Sequence, residues 1–252
     1  MRAPARPARV VFLDDGGVLN DNQRRAPQWR RLLGEFFAAR FGGTETAWGK
    51  ANQMVFSAIW TDFEAARAGG AELGPDWFPQ QDHRWLSGMF ERVCVPIPAD
   101  IDGTVRACRA HVMASIDCAF PEAAGAVRAM HELGVTLHMA SGGLSHELAA
   151  YLEPMGIRSL IDRLYGPDLI GTSKTSPRYY RRIAEDSGVD PAAAIVVDDS
   201  AEPLEWADAN GFRTIHLDRA GLGSRFTRIT SLDQLLPLLG SVRESDLGHP
   251  RS

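Results

Sequence analysis

The sequence predicts an α/β fold: a parallel β-sheet covered by helices, with a second, mainly helical part inserted near its start. Short apolar runs that end in small or acidic residues recur along the chain, which is typical of buried parallel strands. Helix-period segments lie between these runs, as the crossover connections of a parallel sheet require. Residues 22–118 interrupt this alternation and show no comparable strand pattern, which predicts the insertion.

The first predicted strand is followed by four more, and the third is the weakest of the set. The five strands are Val10–Leu13, Val135–Ala140, Leu164–Tyr165, Ile195–Val197 and Thr214–Leu217. The predicted helices between and after them are Pro121–Leu133, Ser145–Met155, Pro177–Ser187, Glu202–Ala209 and a short one around Leu232–Leu239. A glycine follows each of the first four helices, where a residue that tolerates positive φ closes the turn. These glycines are Gly134, Gly156, Gly188 and Gly211.

The insertion divides the chain into two predicted domains: residues 1–21 and 119–252 form the sheet domain, and residues 22–118 form the helical one. Helical character is visible at Arg30–Arg40 and Lys50–Arg67, and breaks are predicted at Gly69–Pro79 and Val95–Gly103. Aromatic side chains at roughly helical spacing are predicted to form the core of the insertion; they are Trp48, Phe56, Trp60 and Phe63. The segments Met1–Pro7 and Glu244–Ser252 are predicted to be loose termini.

Composition and charge restrict the kind of partner. The net charge of -5 provides no basic field, so binding to nucleic acid or to an anionic membrane has no electrostatic support. A small, anionic molecule is the expected partner, and the oligomeric state is left open. Three cysteines without paired metal-ligand spacing, Cys94, Cys108 and Cys118, are read as reduced thiols. Together with the lack of a visible targeting segment, they predict a cytoplasmic location.

Polar residues directly follow the apolar runs. Asp14, Ser141 and the pair Asp198-Asp199 each come at the end of a predicted strand, and Lys174 lies on the loop before the helix at Pro177. Ligands of an open parallel sheet gather beyond the carboxyl ends of its strands, so we expect these side chains to meet in one crevice. Any one of them alone is equally consistent with a turn or helix-cap residue.

Together these residue types suit phosphoryl transfer. Carboxylate oxygens are the ligands that Mg²⁺ prefers. A hydroxyl, the N–H groups of Gly142 and its neighbour, and a lysine bind anionic oxygens. A carboxylate nucleophile takes up a phosphoryl group as an aspartyl phosphate, and Asp14 is the candidate for that role.

Four motifs resemble those of the haloacid dehalogenase superfamily. They are Asp14-Asp15-Gly16-Gly17-Val18-Leu19, Ser141-Gly142, Lys174 and Asp198-Asp199-Ser200, and the resemblance covers about residues 9–217. It implies a three-layer, Rossmann-like core with strand order 3-2-1-4-5 and a helical cap of type C1, which the insertion would form. Caps of this kind close over the site and select the substrate.

The resemblance also implies roles for the residues. Asp14 would be the nucleophile and a metal ligand, Ser141 and Lys174 would bind the transferred group, and Asp199 with Asp198 would hold Mg²⁺. The residue two after the nucleophile supplies a backbone carbonyl to the metal and, in phosphatases, a carboxylate that acts as general acid and base. Here that residue is Gly16, so the carbonyl is kept and the carboxylate is absent.

Gly16 leaves three explanations open. The substrate has a leaving group that needs little protonation, the cap supplies the proton, or the chemistry differs from phosphate-ester hydrolysis. Carbon–phosphorus hydrolases of this family form a Schiff base on a cap lysine, which makes Lys50 a candidate substrate-binding residue, although a solvated surface lysine is the ordinary alternative. A ligand-binding protein that has lost turnover is a further reading. Asp15 is a doubtful substitute acid, because alternation along a strand points it to the opposite face.

The pair Arg24-Arg25 lies close to the predicted boundary between the two domains. Arginine side chains are seldom fully buried, so both are predicted to be solvated.

Overall fold

The computed structural model describes residues 10–71, 73–74 and 76–239, so the predicted loose termini lie outside the described residues. Within this range six strands form one sheet: β1 (Val10–Leu13), β2 (Thr136–Ala140), β3 (Arg163–Tyr165), β4 (Ala194–Asp198), β5 (Arg213–Leu217) and β6 (Thr227–Ile229). They are all parallel and lie in the order β3-β2-β1-β4-β5-β6. The predicted order of five strands is confirmed. The sixth strand was not predicted, because its three residues contain a single buried side chain, that of Ile229.

Five helices lie before or between the strands that follow the insertion, and four of them were predicted. They are α6 (Ala123–Glu132), α7 (Ser145–Leu152), α8 (Pro167–Ile170), α9 (Pro177–Ser187) and α10 (Ala201–Ala209). The four glycines predicted to close these helices all have positive φ, between 63° and 86°. The last predicted helix, Leu232–Leu239, is a 3₁₀ helix.

Strand β1 contributes side chains to an apolar cluster on each face of the sheet. Val11 and Leu13 belong to one cluster, whereas Phe12, which lies between them, belongs to the other. Because side chains alternate along a strand, a strand with both faces covered is apolar throughout. The polar residue that ends this apolar run, Asp14, therefore marks the point where the chain leaves the core.

The described part of the insertion contains five helices: α1 (Asn22–Phe41), α2 (Glu45–Ala68), α3 (Trp77–Gln80), α4 (Asp82–Val93) and α5 (Ile101–Ser115). They pack around an apolar cluster that includes Phe37, Trp48 and Phe90. The helix predicted at Arg30–Arg40 begins earlier, at Asn22. The Asp21 side chain caps it by accepting hydrogen bonds from the backbone amides of Gln23 and Arg24.

Four features of the insertion differ from what the sequence predicted. Helix α4 was not predicted, α3 lies in a segment predicted to be a break, and α5 begins at Ile101, inside the second predicted break. The predicted aromatic core holds for Trp48 and Phe63, but Phe56 and Trp60 are 49% and 45% exposed. Residues four apart share a face of a helix, and these two lie on the face of α2 that is turned away from the cluster.

The three cysteines are unpaired; Cys94 is exposed, and Cys108 and Cys118 are buried. Among the described residues, no helix has both the length and the apolar character needed to cross a bilayer.

Candidate active site

Asp14 lies at the carboxyl end of β1, between two neighbouring strands. Leu13 is in register with Met139 of β2 and Val197 of β4. The Asp14 amide continues the ladder by donating to the Val197 carbonyl at 3.0 Å. The ends of all three strands therefore meet around the Asp14 side chain.

The chain turns sharply after Asp14. The Asp15 carbonyl accepts hydrogen bonds from the amides of Leu19 and Asn20, both at 2.9 Å. Gly17 takes φ +78°, and a Cβ added to it would lie 1.9 Å from the nearer Asp199 carboxylate oxygen. Only glycine allows this backbone conformation and this close approach together. The turn thereby brings the Asp199 carboxylate against the backbone that follows Asp14.

Lys174 connects the strand ends. Its buried Nζ donates to Asp14 Oδ1 at 2.8 Å, to Asp198 Oδ2 at 2.6 Å and to the Ala140 carbonyl at 2.8 Å. Burial lowers the pKa of Lys174, but the charges of Asp14 and Asp198 outweigh it and raise the pKa well above its ordinary value. Lys174 is therefore an ammonium ion with its three protons directed at three acceptors.

Asp198 is the most enclosed of the acidic residues. It ends β4 at 1% exposure, and its second oxygen, Oδ1, accepts the Ser200 amide at 2.9 Å. Burial raises the pKa of Asp198 to about 7, although Lys174 acts in the opposite direction. Since both of its oxygens are engaged by the protein, Asp198 holds Lys174 in place.

Asp14, Asp198 and Asp199 form a cluster suited to a metal ion. Each offers a carboxylate oxygen, and the three oxygens lie within 4.8 Å of one another. Burial raises the pKa of Asp199, and the charge of Asp14 raises it further. Carboxylates this close repel one another unless a cation lies between them, and an all-oxygen donor set is the kind that Mg²⁺ prefers. The donors present therefore fit Mg²⁺.

Ser141 and Gly142 follow β2 at the same edge of the sheet. Ser141 is buried, and its amide donates to the Tyr165 carbonyl at 3.1 Å while its Oγ accepts the Gly143 amide at 3.3 Å. Gly142 is exposed, and a Cβ added to it would meet nothing within 4 Å. The loop is thus held by Ser141 and open at Gly142.

Asp15 points away from this site, as strand alternation predicts. It is buried, and its two oxygens accept hydrogen bonds from Asn20 at 2.6 Å and from Arg25 at 2.7 Å. The Arg25 guanidinium also lies 4.5 Å from the centre of the Tyr151 ring. The prediction that Arg25 is solvated is therefore wrong, because the buried Asp15 carboxylate needs a counter-charge and Arg25 supplies it. Arg24, by contrast, is exposed and donates to the Ala119 carbonyl.

Lys50 is not brought to the site. It is exposed near the start of α2, whereas Arg67, near the end of that helix, pairs with Glu202 at the start of α10. At 1.5 Å per residue, Lys50 and Arg67 are separated by about 25 Å along the helix axis. The structure therefore gives no support to Lys50 as a substrate-binding residue.

The end of α2 and the loop after it border the site. The Ser173 amide donates to the Leu73 carbonyl at 3.2 Å, and Ser173 Oγ donates to the Gly74 carbonyl at 3.1 Å. Since Ser173 precedes Lys174, the insertion contacts the loop that positions the lysine.

Sequence reasoning missed two residues near Asp14. Arg219, on the β5–β6 loop, donates to the carbonyls of Gly17 and Val18 at 3.0 Å each and so holds the turn after Asp14. Asn22, the first residue of α1, places its side-chain amide where a side chain on residue 16 would lie. Neither follows a strand or belongs to a motif, so the sequence carries no local signal for either.

A family model of haloacid dehalogenase-like hydrolases matches residues 8–207. Among curated relatives, phosphatase MT3486 of Mycobacterium tuberculosis is 28% identical over 103 residues, 40% of this chain and 48% of that protein. The (S)-2-haloacid dehalogenase 4A of Burkholderia cepacia is 27% identical over 127 residues, 48% of this chain and 55% of that protein. The chain thus spans about half the length of these relatives. Enolase-phosphatase E1 of Granulibacter bethesdensis is 29% identical over 183 residues, 68% of this chain and 75% of that protein.

Solved structures share the fold at low sequence identity. The putative HAD-hydrolase YfnB from Bacillus subtilis, bound to magnesium, superposes with a TM-score of 0.66 at 15% identity, covering 93% of this chain and all of that one. The L-2-haloacid dehalogenase from Xanthobacter autotrophicus superposes with a TM-score of 0.61 at 14% identity, covering 94% of this chain and all of that one. With a family match that includes β1, β2, β4 and every residue of the acidic cluster, this chain belongs to the haloacid dehalogenase-like hydrolase family.

Proposed function

We propose that the protein is a Mg²⁺-dependent phosphatase that hydrolyses a small phosphorylated metabolite through an aspartyl-phosphate at Asp14. The observation that carries this proposal is the arrangement around Lys174 Nζ, which binds Asp14 and Asp198 in a cluster of three close carboxylates. Such a cluster suits a divalent cation and a substrate that is itself an anion.

Asp14 would act as the nucleophile. Lys174 binds its Oδ1, which leaves Oδ2 as the attacking atom. A bond forms between this oxygen and phosphorus while the bond from phosphorus to the leaving oxygen breaks, and the electron pair departs with that oxygen. Attack of water on the phosphorus of the aspartyl-phosphate then releases phosphate and regenerates the Asp14 carboxylate.

The neighbouring residues would bind the transferred group. The charged Lys174 would offset negative charge on the phosphoryl oxygens, and Ser141 with the N–H of the exposed Gly142 would receive them at the same strand edge. Asp14, Asp199 and the Gly16 carbonyl would hold Mg²⁺, with Asp198 next to them. When bound, Mg²⁺ neutralises carboxylate charge and polarises the phosphoryl oxygens.

Charge balance favours a phosphatase over a dehalogenase, although proteins of both names are among the relatives. Three carboxylates face one ammonium group in this cluster, so an anionic substrate is repelled until a cation is added. Dehalogenase members of the superfamily dispense with Mg²⁺. A dehalogenase built on this acidic cluster would have to bind the carboxylate of a haloacid against the excess negative charge of the cluster. A metal-dependent reaction avoids this repulsion.

We further propose that residues 22–118 form a cap that selects the substrate and that the protein is cytoplasmic. The contacts of Ser173 with residues 73 and 74 support the first point, because they join the insertion to the loop of Lys174. The three unpaired cysteines support the second, since disulfides are rare in the cytoplasm.

The test is a screen of phosphate esters with and without Mg²⁺. We expect turnover that depends on the metal and falls below detection in Asp14→Asn. The matched control is Asp208→Asn, which makes the same change at an exposed position of α10 and should leave the rate unchanged.

Three outcomes would contradict the proposal. Turnover that survives Asp14→Asn would exclude the aspartyl-phosphate. Halide release from 2-haloacids without Mg²⁺ would favour a dehalogenase. Tight, Mg²⁺-dependent binding of phosphate esters without product would identify a ligand-binding protein that has lost turnover.

A further inference from the structure

We propose that Asn22 occupies the place of a proton donor and limits the enzyme to phosphates whose leaving oxygen departs without protonation. The expected substrates are acyl, enol and aryl phosphates rather than simple alkyl phosphates. This inference rests on the proposed phosphatase function and specifies its substrate class.

The space beside Gly16 is filled by Asn22. A Cβ added to Gly16 would lie 2.7 Å from Asn22 Nδ2, 2.9 Å from its Oδ1 and 3.2 Å from its Cγ. Real Cβ atoms essentially never show contacts below 3.0 Å, so a side chain on residue 16 would require the Asn22 amide to move. A carboxylate-bearing residue at position 16 and the amide of Asn22 in its present place therefore exclude each other.

The backbone of Asn22 is held in place from two sides. Asp21 accepts hydrogen bonds from the amides of Gln23 and Arg24 through its side chain, and its own amide donates to the Cys118 carbonyl at 2.7 Å. Asn22 is exposed, so its amide is open to a ligand. The start of α1 thus places the side-chain amide of Asn22 beside Gly16, the residue two positions after Asp14.

The acidic groups around Asp14 are engaged in other contacts. Asp15 is paired with Arg25 and Asn20 on the far side of the strand end. Asp198 is bound by Lys174 and the Ser200 amide, and Asp199 lies against Gly17 within the acidic cluster. The three atoms nearest to a Cβ built on Gly16 all belong to Asn22, and none belongs to a carboxyl group.

An amide donates a hydrogen bond but does not give up its proton at physiological pH. The leaving oxygen would therefore depart as an oxyanion that Asn22 stabilises by a hydrogen bond, and it would take its proton from water afterwards. General acid catalysis typically increases the rate by about 10²- to 10⁴-fold. Without a general acid, the rate falls mainly for substrates whose leaving group is only weakly acidic. The rate should therefore depend steeply on leaving-group acidity.

The experiment measures kcat/KM in Mg²⁺ for a series of aryl phosphates of graded phenol acidity, together with an alkyl phosphate. Asn22→Asp replaces the amide by a carboxyl group of the same shape. We expect it to flatten the dependence and to raise the rate for the least acidic leaving group by about 10²-fold or more relative to the most acidic one. Its rate should also fall at high pH, where the new acid is ionised.

Gln23→Glu is the matched control. It adds the same negative charge at the next exposed position of the same helix turn, and it should leave the steep dependence unchanged. A second variant, Gly16→Asp with Asn22→Ala, removes the amide and places a carboxyl group at position 16. It should flatten the dependence in the same way.

A shallow dependence in the unmodified protein would overturn the inference, because it would show a proton donor elsewhere. The same conclusion would follow if both variants kept the steep dependence while unfolding at the same temperature as the unmodified protein. Absence of turnover for every ester, including the most acidic leaving groups, would instead contradict the proposed function itself.

Discussion

The two glycines after Asp14 are required by different neighbours. Gly17 combines positive φ with a close approach of Asp199, whereas Gly16 leaves room for the amide of Asn22. One glycine therefore shapes the acidic cluster, and the other leaves the space that the Asn22 amide fills.

Gly17→Ala should weaken the binding of Mg²⁺. The added methyl group would lie 1.9 Å from Asp199 Oδ2 and would displace this carboxylate from the cluster. We expect the apparent affinity for Mg²⁺ to fall by at least about 10-fold, the lower end of what loss of a group supporting a metal site costs. Titration of activity with Mg²⁺ measures this change. Gly125→Ala, where an added Cβ meets nothing within 4 Å, is the control, and equal effects of the two variants would argue against the interpretation.

The cysteines should differ in their reaction with thiol reagents. Burial raises the pKa of Cys108 to about 12, so at pH 8 only about one part in 10⁴ of this thiol is ionised. The thiolate is the reactive form, and its fraction rises only as the pH approaches the pKa. Exposed Cys94 should react quickly in the native protein, and Cys108 only after unfolding. A colorimetric thiol assay at pH 8, with and without denaturant, checks this, and equally fast labelling of Cys108 would refute it.

Helix α1 joins the insertion to the turn that follows Asp14. Its first turn carries both Asn22, which lies beside Gly16, and Arg25, which is paired with buried Asp15. The start of one helix thus places an amide beside Gly16 and supplies the counter-charge of Asp15.

Asp15→Asn should destabilise the protein with a smaller effect on chemistry. Removing one member of a buried ion pair typically costs about 3–5 kcal/mol, because the remaining charge stays buried without its partner. We expect a loss of about 3 kcal/mol in the free energy of unfolding, measured by urea denaturation, with a kcat within about 10-fold of the unmodified enzyme.

The control for this pair is Glu35→Ala, which removes an exposed partner of Arg31 on the same helix. An exposed pair of this spacing contributes about 0.5 kcal/mol or less. If Asp15→Asn abolished turnover without changing stability, Asp15 would belong to the chemistry.

On the scale of the whole molecule, the sheet and the insertion have separate apolar clusters. Those of the sheet lie on its two faces, and that of the insertion lies among its helices. The insertion reaches the site through the end of α2 and the following loop, which contact Glu202 and Ser173. This arrangement supports a division into a core and a cap.

Phe37→Ala tests that division. Phe37 is fully buried and stacks on Trp48 with 4.9 Å between the ring centres. Its removal should cost about 3–5 kcal/mol and, if the insertion folds as its own unit, should separate a low-temperature transition from the unfolding of the sheet. Calorimetry detects the second transition. A single transition shifted as a whole would contradict separate domains, and Phe56→Ala, at an exposed position of α2, is the control.

Mg²⁺ should stabilise the whole protein. A ligand that binds only the folded state contributes about 2.7 kcal/mol at 100 times its Kd, which raises the unfolding temperature by several degrees. Thermal unfolding with and without Mg²⁺ measures the shift. Asp199→Asn should abolish it, and Asp208→Asn should preserve it. A shift that persists in Asp199→Asn would place the ion elsewhere.

Local patterns were sufficient to predict five strands and the residues at the strand ends. The order of the strands was implied by the family resemblance. Asp14, Ser141 and Asp198 each end an apolar run, and parallel strands bring such ends to one edge. The position of Lys174 followed from its motif. The alternation that makes β1 apolar on both faces also places Asp15 away from the site.

Other features were decided only by the tertiary structure. The sequence by itself determined which residues end the strands, because hydrophobic periodicity depends on neighbours along the chain. It did not determine that Asn22 fills the space beside Gly16 or that Arg25 pairs with buried Asp15. Nor did it determine that Arg219 holds the turn or that Lys50 faces solvent. Each of these depends on how a separate helix or loop packs against the strand ends, and that packing is set by contacts between segments far apart in sequence.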